Sequence, residues 1–226
     1  DPSERPARAW PTMPDIQADT IVRMEDETVQ QPSVNISLIG PNAHEDKKNA
    51  YALEVLQEIM SGGSTSRIYK SLVKEKKIAS QAGLYYDSTN LGPGVIQLYA
   101  APLPDKEPDA VIDALIEEVK ILLQDGITDA ELTDAKNRLI DRAIYARDSL
   151  SGPAMVVGRA LSSGIALDDI EYWPDHIKAV SRKDIEAAAA RYLNTDKQRK
   201  VFGYLLPNAD EEAKATDNTE DKEAAS

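Results

Sequence analysis

The spacing of apolar residues changes in blocks along the chain, and the order of those blocks limits the folds it can adopt. Residues 34–38 alternate apolar and polar side chains, which is typical of a half-buried strand, and residues 20–25 are a candidate partner strand. From Asp46 the apolar residues follow the spacing of an amphipathic helix, which Gly62 and Gly63 end. We expect Ser64 to cap a second, short helix.

The remaining blocks separate strands from helices. Residues 79–86 and 94–100 predict an antiparallel hairpin, because a turn-rich segment joins them. Helices follow at 107–124, from the Thr128 capping box with Glu131, from Pro153 and from Ser181, and an apolar strand spans 200–207. Strands and helices therefore do not alternate, as they would in a doubly wound parallel fold. The order predicts an α+β fold in which helices cover one face of an antiparallel sheet.

The two ends of the chain differ in composition from its centre. Four prolines within residues 1–19 favour an extended linker. Residues 208–226 contain seven acids, two lysines and no large apolar side chain, so we expect a disordered acidic tail. We predict that residues 20–207 form one domain.

Charge and composition exclude several functions. Lysines and arginines number 26 against 39 acids, a net charge of 26 − 39 = −13, which disfavours nucleic acid as a partner. The chain has no cysteine, which excludes thiolate catalysis and disulfides. Its apolar runs are far shorter than the ~20 residues that cross a bilayer, so we expect no membrane span.

The histidines argue against a metal site. His44 and His176 are too far apart in sequence to form H-E-x-x-H or H-x-x-E-H. We expect His44 to be a solvated loop residue, with a role as base or ligand the less favoured alternative. The glycine-rich segment 62–66 could bind an anion, but a helix C-cap and turn is the favoured interpretation. Ser71 and Lys74 match S-x-x-K only in spacing, without the companion motifs of that enzyme class.

Four ordered segments resemble one protein family. They are AYALEVL from Ala50, GGSTSRIYKSLVKEKKIA from Gly62, GITDAELTDAKNRLI from Gly126 and GYLLP from Gly203. Together they resemble the C-terminal half of a bacterial, processing-peptidase-like zinc metallopeptidase of the pitrilysin/insulinase family. The proline-rich start resembles the connector between the two homologous halves of such enzymes.

The resemblance implies a division of labour. In this family the N-terminal half carries H-x-x-E-H and zinc, whereas the C-terminal half keeps the fold, lacks the metal and closes a chamber over a peptide. This chain would be the inactive half, with no cofactor of its own, and its partners would be a zinc-bearing half or complementary subunit and a peptide. The chain alone would be inactive. A structural or assembly role is the alternative, and the compartment is unknown, although the bacterial relatives favour a periplasmic or secreted setting.

Two positions depart from the family pattern. Many second halves bring an Arg and, seven residues later, a Tyr toward the scissile peptide, within a segment resembling R-E-K-R-G-L-A-Y. The corresponding residues here are Lys74 and Gln81. Lysine keeps a positive charge but not the planar guanidinium, and glutamine lacks a phenol to polarise an oxyanion. The resemblance therefore implies that both residues face the substrate and give weaker help to the transition state.

Overall fold

A computed structural model describes residues 16–147 and 152–208, in which a five-stranded sheet supports a set of helices. The strands are β1 (Thr20–Asp26), β2 (Ser33–Gly40), β3 (Ala79–Asp87), β4 (Gly94–Pro102) and β5 (Lys200–Pro207). The helices are α1 (Lys47–Ser61), α2 (Pro108–Asp125), α3 (Asp129–Arg147), α4 (Gly152–Ser162), α5 (Leu167–Glu171), α6 (Trp173–Ala179) and α7 (Arg182–Tyr192), with a π-helix at Tyr69–Glu75. The predicted order of strands and helices is confirmed.

The sheet has the order β1-β5-β2-β4-β3. Three of its strand pairs are antiparallel, and the fourth, β1 with β5, is parallel. The suggested pairing of residues 20–25 with 34–38 is wrong, because β5 lies between these two strands. Asp19 helps to hold β5 there, since its carboxylate accepts hydrogen bonds from the backbone N–H and the Nζ of Lys200 at 3.2 and 2.8 Å. Alternation identified residues 34–38 as a strand but did not identify its neighbour, whereas the predicted antiparallel hairpin of residues 79–86 and 94–100 is confirmed.

The helices cover one face of the sheet. Along β2 the side chains of Val34, Ile36 and Leu38 are fully buried, while the residues between them are partly exposed. The buried side chains belong to one hydrophobic cluster that also includes residues from α1, α2 and α7. The α+β architecture with one covered sheet face is thus confirmed.

Most of the predicted helix ends are confirmed. Thr128 and Glu131 form reciprocal hydrogen bonds, as do Ser181 and Asp184. The expectation for Ser64 is wrong, because the next helical residue is Arg67. The intervening residues instead make a turn, in which the backbone N–H of Ser66 donates to the carbonyl of Gly63 at 3.1 Å.

The predicted linker and acidic tail fall largely on residues 1–15 and 209–226, which lie outside the described residues, so both remain predictions. In the described ranges, no helix is both long and apolar enough to cross a membrane.

Candidate functional site

Lys74 lies on the π-helix and is exposed to solvent. The wide turn of this helix is marked by a backbone hydrogen bond from Lys76 to the carbonyl of Ser71, five residues earlier, at 2.8 Å. The ammonium of Lys74 lies 5.8 Å from the centre of the Tyr69 ring, within the range of a cation–π contact. Lys74 thus presents its charge at the surface.

Ser71 points away from Lys74, into the protein. Its buried hydroxyl donates to Oε1 of Glu118 at 2.5 Å, and the same oxygen lies 3.1 Å from Nζ of Lys76. The side chain of Glu118 is almost fully buried, so the two donors satisfy a carboxylate that would otherwise be costly to bury. Ser71 is therefore a structural residue rather than a nucleophile paired with Lys74.

Gln81 lies on β3, directly after an irregularity in the strand. Ala79 pairs with Pro102 and Gln81 with Ala101, which leaves Ser80 as an extra residue, as in a β-bulge. The side chain of Gln81 is exposed. The structure thus places both Gln81 and Lys74 at the surface, and among the described residues no hydrogen bond joins them.

The glycine-rich segment has the geometry of a helix end. The backbone N–H of Gly62 donates to the carbonyl of Glu58 at 2.8 Å, and that of Gly63 donates to Ser61 at 2.9 Å. Gly63 has φ of 119°, a conformation that side-chain-bearing residues rarely adopt. Three of the loop's N–H groups, including that of Ser66, are thus used internally, which supports the C-cap interpretation over anion binding.

The two histidines make separate contacts. Nδ1 of His44 lies 3.1 Å from the carbonyl oxygen of Gly164. The ring of His176 stacks on Tyr51 with 5.0 Å between centroids, and its Nε2 is 4.0 Å from Asp169. Within residues 16–147 and 152–208, no group of three His, Cys, Asp or Glu side chains could hold a metal ion.

One concave feature was not predicted from the sequence. It is a cavity of about 700 Å³ between α1, the end of β3 and the α3–α6 region, and we call it the Glu54 cavity. Its described lining residues are mostly apolar or aromatic and include Tyr51, Tyr85, Tyr86, Val156, Val157, Ala160, Ile165, Leu167, Ile170 and Trp173. This size and composition are typical of ligand pockets.

A hydrogen-bonded carboxylate lies in the wall of this cavity. Oε1 of Glu54 accepts from the hydroxyl of Ser88 at 2.5 Å, and Oε2 accepts from the indole N–H of Trp173 at 2.8 Å. Burial raises the pKa of the Glu54 carboxyl, and the two hydrogen bonds oppose that rise. Burial also raises the pKa of the neighbouring Tyr51 hydroxyl to about 12. Ser88 and Trp173 lie 34 and 119 positions from Glu54 in the sequence, so no local motif could have revealed this network.

Two ion pairs flank the cavity. Asp87 pairs with the guanidinium of Arg159, and Asp169 lies 2.7 Å from Nζ of Lys47. Asp87, Arg159 and Asp169 all line the cavity. The cavity therefore combines apolar walls with a small number of fixed charges.

The comparison with known families identifies the chain. A family model described as the peptidase M16 inactive domain matches residues 3–139, which is more than half of the 226 residues. The chain belongs to this family. The family model describes a domain without the zinc site, in agreement with the resemblance seen in the sequence. No curated protein sequence matches this M16 inactive domain.

Solved structures with the same fold include proteins of several kinds. A protease from Helicobacter pylori superposes with a TM-score of 0.78 at 20% identity, over 90% of this chain and 48% of the other. The inactive peptidase domain of a protein assigned to the zinc proteases, from Bordetella parapertussis, superposes with a TM-score of 0.69 at 19% identity, over 79% of this chain and 93% of the other. A chain of complex III2 from Candida albicans superposes with a TM-score of 0.67 at 18% identity, over 84% of this chain and 46% of the other. This M16 inactive domain thus spans about half the length of the Helicobacter protein.

Proposed function

We propose that this M16 inactive domain is the non-catalytic C-terminal half of a zinc peptidase, which closes the substrate chamber against a zinc-bearing half and helps to bind the peptide. The observation that carries this proposal is the match to the inactive-domain family model. The length relationship supports it, because the chain covers 48% of the Helicobacter protease and leaves room for a second half of similar size.

The chemistry would be divided between the two halves. Zinc in the other half would activate the water that attacks the peptide carbonyl. The residues of this chain would bind and orient the peptide, and Lys74 and Gln81 would occupy the substrate-facing positions of the family's Arg/Tyr pair. Because neither residue reproduces the donor geometry of that pair, we propose that a second, complementary subunit supplies it.

Reconstitution tests the proposal. The purified chain should neither hydrolyse unstructured fluorogenic peptides nor hold stoichiometric zinc, as measured by mass spectrometry of the metal content. Addition of a zinc-bearing half should restore hydrolysis, and a complementary subunit that carries the Arg/Tyr pair should raise it further. One tightly bound zinc per chain, or no activity in any mixture, would contradict the proposal. If the complementary subunit does not raise hydrolysis, only the proposal that it supplies the Arg/Tyr pair is contradicted.

A structural role is the second candidate, and the similarity to a chain of complex III2 from Candida albicans favours it. In that case the fold would serve assembly, and peptide hydrolysis would be lost in every mixture. The residues encoded upstream of Asp1 discriminate between the two functions. An H-x-x-E-H motif there supports the peptidase, and its absence supports the scaffold.

A further inference from the structure

Two exposed lysines at the end of the π-helix carry charges that the domain leaves unpaired. Lys74 and Lys77 have no ion pair within the described part of the chain, and we call them the Lys74/Lys77 surface. The other lysines of residues 70–77 have acidic partners: Lys70 lies 3.6 Å from Glu75, and Lys76 lies 3.1 Å from Glu118. The Lys74/Lys77 surface is therefore free to attract an acidic segment.

Lys77 adopts a backbone conformation that lysine disfavours. Its φ is 51°, in the left-handed region that side-chain-bearing residues seldom occupy. The turn is fixed after the π-helix by a hydrogen bond from the backbone N–H of Ile78 to the carbonyl of Leu72 at 3.0 Å. Glycine or asparagine would fit this position at lower cost. A lysine at a strained position favours a role for its charge.

The acidic tail, residues 208–226, leaves the domain at the end of the sheet that bears these lysines. β5 ends at Pro207, and β3 begins two residues after Lys77. The two ends lie at the same end of the sheet, because β5, β2, β4 and β3 are antiparallel in turn. A hydrogen bond of 2.5 Å from the side-chain amide of Gln31 to the hydroxyl of Ser80 spans this end of the sheet.

The tail has the length and the charge to reach the Lys74/Lys77 surface. Three strand spacings separate β5 from β3, about 14 Å, and five extended residues span about 17 Å. The tail contains seven acids and two lysines, a charge of 2 − 7 = −5. On the other side of β5, three consecutive acids at residues 25–27 lie where β1 ends beside Pro207 and would repel the tail.

We propose that the acidic tail of this chain docks on the Lys74/Lys77 surface through its carboxylates. The covalent tether gives the tail a high effective concentration there, so that individually weak charge pairs suffice. Because these pairs are exposed, salt breaks the contact, and the contact adds little to the stability of the fold. The docking does not depend on the proposed function. If Lys74 faces the substrate, as proposed above, the docked tail shields that position.

The absence of cysteine allows the tail to be labelled at one site. Thr216→Cys places a single thiol between the acids at 210–212 and those at 217–223. A nitroxide attached there broadens the amide NMR signals of residues that the tail approaches. At low salt we expect the signals of residues 74–80 to fall to roughly half of their intensity with the reduced label. They should recover in about 0.5 M NaCl, which screens exposed charges.

Charge-removing variants test whether the two lysines hold the tail. The double substitution Lys74→Gln and Lys77→Gln should abolish most of the broadening. Lys120→Gln with Lys183→Gln removes the same charge from two other exposed lysines and should leave the broadening unchanged. Circular dichroism and thermal melting check that each variant is folded. If K74Q/K77Q does not fold, Lys77→Gly decides, because glycine suits the left-handed backbone and still removes the charge.

Several results would overturn the docking. They are unchanged signals of residues 74–80 at low salt, broadening centred on another surface, and broadening that persists in K74Q/K77Q. Mixing isotope-labelled chain with separately spin-labelled chain tests for a second copy. Broadening in that mixture would assign the Lys74/Lys77 surface to the tail of another molecule and overturn docking within one chain.

A kinetic measurement separates the docking from the proposed function. If the tail occupies the surface half of the time, a chain that ends at Asn208 should show a KM for a fluorogenic peptide roughly twofold lower in the reconstituted peptidase, with kcat unchanged. An unchanged KM beside the expected NMR broadening would contradict the substrate-facing placement of Lys74 and leave the docking in place. A lower KM without broadening would contradict the docking alone.

Discussion

Oε1 of Glu58 on α1 lies 2.7 Å from Nε of Arg138 on α3, and this ion pair joins two helices that are distant in sequence. The guanidinium of Arg142, one turn further along α3, contacts the other carboxylate oxygen. The side chain of Glu58 is only 5% exposed, whereas both arginines reach solvent. Because the buried member of the group is the carboxylate, its replacement removes charged hydrogen bonds without leaving a buried cation.

The substitution Glu58→Gln should lower the free energy of unfolding by about 1.5–3 kcal/mol, the range for hydrogen bonds to charged groups. Urea denaturation followed by circular dichroism measures it. Glu117→Gln on the exposed face of α2 is the matched control and should change the free energy by less than about 0.5 kcal/mol. Equal effects of the two substitutions would show that the Glu58 pairs contribute nothing specific.

Glu131 predicts an acid-dependent loss of stability. Hydrogen bonds from Arg67, at 2.5 and 2.7 Å, are the main cause that lowers the pKa of the Glu131 carboxyl to about 2, from its ordinary value of 4.5. Because the folded-state pKa lies below the unfolded one, the stabilisation is complete above about pH 4.5 and is lost as the pH falls toward 2.

We therefore expect Glu131→Gln to cost about 1–2 kcal/mol at neutral pH, after allowance for partial exposure of the pair to solvent, and almost nothing near pH 2. Urea midpoints measured across this range for the wild type and E131Q should converge on acidification. A difference that stays constant with pH would show that the loss comes from packing and not from the ion pair.

The substrate-facing positions give a prediction about activity. In the reconstituted peptidase, the double substitution Lys74→Arg and Gln81→Tyr should raise kcat by roughly tenfold or more, because it restores a planar guanidinium and a phenolic donor. Lys70→Arg makes the same chemical change at another exposed lysine of the π-helix and should leave kcat unchanged. If the double variant is no faster than the wild type, these positions do not face the scissile peptide.

Removal of residues 209–226 tests the predicted acidic tail. A segment without large apolar side chains cannot offset its own ordering entropy, so its deletion should change the free energy of unfolding by less than about 0.5 kcal/mol. Thermal and urea denaturation of the shortened chain measure this change. A larger loss of stability would mean that the segment packs on the domain.

The sequence by itself determined the elements and the family. Strand alternation, helical spacing and the capping residues Thr128 and Ser181 act over a few neighbouring positions, so each could be recognised without knowing the rest of the fold. The four segments that resemble the family could also be recognised, because each is a continuous stretch of sequence. The local exceptions were the π-helix, whose wide turn is not specified by the pattern that marks a helix, and the short helices α5 and α6, which were not predicted.

The tertiary structure alone decided which distant residues meet. It placed β5 between β1 and β2, in parallel with the first and antiparallel to the second, because strand pairing depends on how the whole sheet buries its apolar face. It also brought Glu54, Ser88 and Trp173 together to form the polar wall of the Glu54 cavity. Hydrogen bonds that span 34 and 119 residues leave no periodic trace in the sequence, because the chain between their partners can fold in many ways that separate them.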